Sequence, residues 1–236
     1  KQGHRWQLWV FQSKSTVVFQ VEPTRSSAVP LAYFGESATG ILSVDRSSAY
    51  KVLLKSGRIV LAFCWAHVRR DFLGVAKDWG GQHEAWAVAW VEKIAQLYRI
   101  NDQRIGVLDA PPAFATAQVW LRAAVEEMEK SCQAQLADRA LIGVRHKVLK
   151  SLSAHWSGLV VFVDHPEVPM DNNVAERAHR NPVVGRKNYY GSGAEWSARL
   201  AAMMFTIFQT LRLWKINPRL WLSEYLHACA HNGGRA

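Results

Sequence analysis

Gly40-Ile41-Leu42-Ser43-Val44-Asp45 is a short apolar run that ends on a carboxylate. Bounded this way, it reads as a buried strand. Arg46 to Leu54 then has a helical pattern, Gly57 breaks it, and Arg58 to Phe63 repeats the apolar run. A strand, a crossover and a second strand imply a mixed α/β sheet with helices on its faces.

Toward the N-terminus, Trp6 to Gln12 alternates bulky and polar residues, Ser13-Lys14-Ser15 reads as a turn, and Thr16 to Val21 is a second β-rich run. Together they predict an antiparallel hairpin ended by Pro23. Ser26 to Phe34 reads as a short helix despite Pro30.

Toward the C-terminus, Phe72 to about His155 is almost pure helix. Three apolar stripes mark it: Trp86, Trp90, Ile94, Leu97 and Tyr98; Trp120, Ala124 and Met128; Ala137, Leu141, Val144, Val148 and Leu152. Such stripes are the buried faces of packed helices, so Trp86, Trp90 and Trp120 are expected to be buried. Asp109-Ala110-Pro111-Pro112 interrupts the block. Leu159 to Val163 reads either as an extension of the last helix or as a strand.

Pro169-Met170-Asp171-Asn172-Asn173-Val174-Ala175-Glu176-Arg177-Ala178-His179-Arg180 opens with three good N-cap residues and carries a carboxylate in its first turn. A short helix to about Arg180 is expected, with Pro182 stopping it. Glu176 and Arg180 are four apart, so an ordinary surface ion pair explains them as well as any function does. Val183 to Ser192 reads as a basic, glycine-punctuated loop. Ala194 to Lys215 is a strong helix whose buried side should carry Leu200, Met203, Met204, Ile207, Phe208 and Leu211; Arg219 to Ala230 is the last helix.

The chain has 236 residues, with 29 Lys plus Arg against 19 Asp plus Glu and a formal net charge of +10. That excess favours a polyanionic partner. Eleven tryptophans supply core and, in part, platforms for bases. No apolar run is long enough for a membrane span. Three scattered cysteines, Cys64, Cys132 and Cys229, fit a reducing cytoplasm better than a disulfide framework.

Asp45 at a strand end and Glu176 on a late helix are the two carboxylates that can meet at a sheet rim and bind Mg2+ or Mn2+. Alone, Asp45 reads equally well as a helix N-cap. Cys64-x-x-His67 is half of a zinc pattern that His227, Cys229 and His231 would have to complete; the alternative is a buried small Cys64 with His67 ordering the turn after the strand. Arg177, Arg180, Arg186, Lys187 and Asn188 form a group either solvated or binding phosphate, and Arg69 and Arg70 are candidates for the same role. Tyr189 and Tyr190 either pack under that loop or stack on a base.

Ser43-Val44-Asp45-Arg46-Ser47-Ser48-Ala49-Tyr50, Cys64-Trp65-Ala66-His67-Val68-Arg69-Arg70-Asp71-Phe72, Asp171-Asn172-Asn173-Val174-Ala175-Glu176-Arg177 and Gly185-Arg186-Lys187-Asn188 occur in this order. In that order they resemble the transposases of the insertion sequence 66 family of bacterial mobile elements. The resemblance implies an RNase H-like core with an Asp-Asp-Glu triad, Asp45 matching the second acid and Glu176 the third. It places His67 near the active site. It implies two divalent metals, double-stranded DNA (element ends and target) as partner, a homo-oligomer on DNA, possible accessory proteins, and a cytoplasmic, nucleoid-associated location.

On this reading residues 1–72 are the first part of the core, 73–157 a helical insertion between the last strand and the Glu helix, and 158–236 the second part with the C-terminal helices. The first acid of the family precedes the stretch matched by Arg5-Trp6-Gln7-Leu8-Trp9, and no Asp precedes Trp6. The first strand and its Asp are therefore expected upstream of Lys1, the chain being a fragment or a decayed remnant, and inactive alone. The family's N-terminal coiled-coil, zinc-binding and DNA-binding regions have no counterpart either. The alternatives are a nuclease or resolvase on the same fold, and a non-catalytic DNA-binding or assembly module.

Overall fold

The alternating residues at the start form the expected hairpin, β1 (Gln7–Gln12) and β2 (Val17–Glu22), antiparallel with Gln12 opposite Val17 and Gln7 opposite Glu22. Ser13 makes the turn: its hydroxyl accepts from Ser15 N–H at 3.2 Å and Thr16 N–H at 3.1 Å. The computed structural model describes residues 6–141, 143–189, with Tyr189 as backbone only, and 191–234. The chain divides into two compact units, Lys1–Val29 with Asn173–Ala236, and Pro30–Asn172.

Helix α1 (Ala28–Phe34) tolerates Pro30 because it falls in the first turn, where no intrahelical N–H is required. Strands β3 (Gly40–Val44) and β4 (Ile59–Phe63) pair in parallel, Val44 beside Phe63. Their crossover is a 3-10 helix, Ser48–Ser56, rather than the α-helix expected over 46–54, and Gly57 ends it at φ 68°. Among the described residues the strands form two separate two-stranded sheets, β1–β2 and β3–β4, flanked by helices.

The helical block starts at the end of β4. Helices α2 (Trp65–Trp79), α3 (Gly81–Gly106), α4 (Pro111–Ala137) and α5 (Gly143–Ala154) lead to two single turns, α6 (Trp156–Leu159) and α7 (Val161–Asp164). Their core holds Trp65, Phe72, Trp90, Ile94, Leu121 and Leu149. Phe72 stacks on Trp90 at 5.3 Å, and Gln135 Oε1 accepts from the indole N–H of Trp86 and of Trp90. Gly158 sits where α6 crosses β4 so closely that a Cβ would collide with the Phe63 ring and the Leu61 carbonyl.

Trp90 is buried and Trp86 packs against the core, but Trp120 is 61% exposed. The buried face of α4 carries Ala117, Leu121, Val125, Met128 and Cys132 instead. Met128 and Ala124 of the expected stripe do face the core, but one residue turns a helix by about 100°, and that step from buried Leu121 carries Trp120 outward.

The remaining helices are α8 (Asn173–Ala178), α9 (Arg180–Tyr189), α10 (Glu195–Leu213) and α11 (Pro218–His231). Pro182 does not stop the chain's helical course. A turn at His179 separates α8 from α9, and Pro182 occupies the first turn of α9, where its missing N–H costs nothing. The basic stretch expected as a loop is therefore largely helix, and Glu176 and Arg180 lie on successive helices.

Helix α10 packs on β2 through Ala202, Phe205, Thr206 and Thr210. Leu200 and Met203, expected inside, are 44% and 53% exposed. The reason is hydrogen bonding rather than hydrophobicity. Phe19 N–H donates to Thr206 Oγ1 at 2.9 Å, and Thr210 Oγ1 both accepts from Val17 N–H and donates to Val17 C=O at 3.1 Å. Two threonines thus satisfy the edge of β2 that no strand pairs among the described residues, and a helix laid over an edge is one way of protecting it. Helix α11 is capped by Asn217, whose side chain accepts from Arg219 N–H at 2.9 Å.

Candidate functional site

Within the unit Pro30–Asn172, Asp45 follows directly on β3, at the carboxyl end of the parallel pair. Ligand and catalytic groups of α/β sheets collect at that edge. Asp45 Oδ1 accepts from Ser47 N–H at 3.0 Å, which fixes the carboxylate just ahead of the crossover, but the N-cap of that helix is Ser47, whose hydroxyl accepts from Ala49 N–H, and not Asp45. Burial, followed by the Asp45 charge, pushes the Tyr50 hydroxyl up to about 12. Arg46 turns inward, its guanidinium reaching Asp71 at 2.5 Å and the Ser151 hydroxyl at 2.9 Å.

Cys64 lies beside Asp45 at the end of the neighbouring strand: its N–H donates to Val44 C=O at 3.2 Å. The thiol is buried, and burial raises its pKa against the pull of the Asn172, His67 and Ala66 N–H groups. It is the acceptor of the Asn172 N–H at 3.4 Å, while Trp65 N–H donates to Met170 C=O at 2.9 Å. The segment that leads into α8 is thereby fastened to the end of β4. Tyr98 joins this fastening. Its hydroxyl pKa is raised by burial first, then by the Asp171 and Cys64 charges and a hydrogen bond to Asp171.

Asp171, read from the sequence as one of three cap residues, and Tyr98, read as the end of an apolar stripe, are thus partners. The available signal was that a tyrosine at the edge of a core needs a hydroxyl partner. His67 is half-buried in the first turn of α2, and Arg69 and Arg70 are exposed further along it.

In the unit Lys1–Val29 with Asn173–Ala236, Glu176 is half-buried in the first turn of α8. Arg177, Arg180, Arg186, Lys187 and Asn188 are all exposed along α8 and α9. Arg186 and Lys187 occupy the last turn of α9, where cations complement the helix dipole. The Tyr189 side chain and Tyr190 lie outside the described residues, as do residues 1–5. His179 meets Phe19 edge-on at 6.1 Å; burial lowers its pKa and the Glu176 charge opposes that.

Asp45 and Glu176 offer the hard oxygen donors that Mg2+ or Mn2+ prefer, so the donor chemistry fits such ions. Among the described residues no group of three or more His, Cys, Asp or Glu side chains is placed to hold a metal ion, whether zinc at Cys64 and His67 or a divalent cation at the carboxylates. Among the described residues no helix is long and apolar enough to cross a membrane.

The unit Lys1–Val29 with Asn173–Ala236 also contains a cleft of about 800 Å3, which no local residue pattern foretells. Its floor is apolar, from Leu8, Val21, Ala198, Ala201, Ala202 and Phe205. Arg25, Arg186, His179 and the Gly191–Glu195 stretch stand around it. Arg25 is held in place by its Nε–H to Gln7 Oε1 at 2.6 Å.

Two curated relatives from Sinorhizobium fredii resemble the chain: uncharacterized protein y4hP, 29% identical over 203 residues, and uncharacterized protein y4jD, 28% identical over 204. The alignments cover 79% and 80% of this chain but 36% and 38% of those proteins. The chain therefore spans little more than a third of the relatives' length. No solved structure matches it. The model of the family described as "Transposase IS66 family" matches residues 1–200. With most of its length matched in this way, from the hairpin through the Asp45 strand end and the Glu176 helix into α10, the chain belongs to the IS66 family of transposases.

Proposed function

We propose that this chain is catalytic region of a DNA transposase of the Asp-Asp-Glu type, with an RNase H-like arrangement and a helical insertion between β4 and the Glu176 helix. Asp45 and Glu176 are the carboxylates that hold divalent metal, Mg2+ or Mn2+. When bound, the metal supplies activation of the attacking oxygen and stabilisation of the leaving oxygen in phosphodiester hydrolysis and strand transfer.

The chain's own residues do the positioning. Ser47 N–H orients Asp45, and Cys64, Tyr98 and Asp171 fix the approach to α8. Arg177, Arg180, Arg186, Lys187 and Asn188, with Arg69 and Arg70, bind the phosphates of element-end and target DNA. The observation that carries this reading is the family match over residues 1–200, which takes in both carboxylates. The transposase works as an oligomer on DNA at the nucleoid.

The test is cleavage of a labelled element-end duplex by the protein from the complete reading frame, with Mg2+ or Mn2+, read on a denaturing gel. Glu176→Gln and Asp45→Asn should each lower cleavage by at least about 100-fold, the scale on which loss of a group acting on the transition state is felt. DNA affinity should persist, because it rests on the arginines. Full cleavage by either variant would remove that residue from the active site.

A further inference from the structure

We propose that the cleft beside α10 holds one unpaired nucleotide of the DNA strand. The inference rests on the transposase reading and adds a subsite to it. Its size lies within the roughly 300–1,000 Å3 of pockets that enclose a single small molecule, and an intact duplex does not enter such a space. A nucleotide needs an apolar surface for the base, polar groups for its edge and positive charge for its phosphate.

The cleft supplies all three within one compact unit. Ala198, Ala201 and Ala202 recur on one face of α10 and project nothing beyond Cβ, which leaves a flat floor walled by Leu8 and Phe205. Trp6 also lines the cleft. His179 lines the cleft as well, and its ring nitrogens are polar groups for a base edge.

Arg25 and Arg186 come from separate elements and both line the cleft. A guanidinium has five donors, of which Arg25 spends one on Gln7, so a phosphate has several left to accept from. Glu195 lines the cleft too, but its carboxylate is paired with Arg199 at 2.9 Å, and the balance of charge stays positive. An apolar protein segment would fill the floor yet leave both arginines against hydrocarbon. The charge therefore favours a nucleotide. The cleft also adjoins the proposed chemistry, since the N–H of His179, which lines it, donates to Glu176 C=O at 3.2 Å.

The experiment compares, by fluorescence anisotropy, a blunt element-end duplex with the same duplex carrying a short unpaired tail. One stacked base adds about 1–3 kcal/mol, so the protein should bind the tailed probe about 5- to 150-fold tighter. Ala201→Phe, which fills the floor, should bring the tailed-to-blunt ratio to one. Arg25→Gln, which removes no apolar contact, should lower the ratio and carries the test if Ala201→Phe does not fold. Arg177→Ala should weaken both probes alike and keep the ratio. No preference in the unmodified protein, or a preference that survives Ala201→Phe and Arg25→Gln, overturns the nucleotide cleft. Failure of the unmodified protein to bind either probe overturns the transposase reading itself.

Discussion

Thr210 does with one hydroxyl what a neighbouring strand would do with two backbone groups. It accepts from Val17 N–H and donates to Val17 C=O, and Val17 is buried. Thr210→Val keeps the shape but leaves both of those groups unpaired, and each such orphan costs about 1–3 kcal/mol. The expected loss is about 2 kcal/mol or more, while Thr210→Ser keeps the bonds and loses little beyond a methyl, about 0.8 kcal/mol. Native-state hydrogen exchange at Val17 and Phe19 reads the difference. Equal protection in the valine variant would show that the hydroxyl is dispensable. This role was not legible in the sequence, where the apolar positions of α10 draw the eye and its threonines look neutral. Asp45 was legible at the same scale, because a carboxylate closing a short apolar run marks a strand's end. Asp171 was not, since its partner Tyr98 is distant in the chain and belongs to a stripe that looked purely apolar.

At the scale of elements, α3 and α7 are joined by a side chain rather than by packing alone. Arg104 is fully buried, and its guanidinium donates to Phe162 C=O at 2.9 Å, to Val163 C=O at 2.8 Å and to Gln118 Oε1 at 2.8 Å. Burial lowers its pKa, but a guanidinium remains charged and so depends on those acceptors. Arg104→Met removes the donors of the Phe162 carbonyl and of Gln118 Oε1, whereas the Val163 carbonyl keeps the Gln118 amide at 2.7 Å. The expected cost is about 3 kcal/mol, seen as an earlier midpoint in urea; an unchanged midpoint would show that water replaces the arginine. Helix existence was readable through this region because apolar periodicity over many residues is a strong signal. Helix phase was readable only in part: Met128 is buried and Ala124 packs on the core as expected, whereas Trp120, at the edge of that stripe, is exposed and Leu121 takes the inner place. Pro182 misled for a related reason, as proline stops a helix from within but suits its first turn, and which applies depends on where the turn at His179 falls.

Over the whole molecule, the hairpin and the strand pair around Asp45 were readable, because each is set by a local pattern of apolar residues and turns. The unit containing β1 and β2 is completed by α10, and Val17 bonds a residue 193 positions later. The other unit is one uninterrupted run, Pro30–Asn172. These connectivities set an order in time. Contacts so far apart in sequence form slowly, whereas a continuous helical segment folds fast. At about 5–20 residues per second, the hairpin leaves the ribosome roughly 10 to 40 s before Thr210 does. A lone two-stranded hairpin is marginally stable in water, so Val17 and Phe19 stay exposed during that wait. In pulse-labelled refolding, amides of α3 and α4 should be protected before those of Val17 and Phe19; simultaneous protection would show a single cooperative event. The nascent chain is therefore vulnerable at the hairpin, and chaperone capture or proteolysis during synthesis should fall there until α10 emerges to cover it.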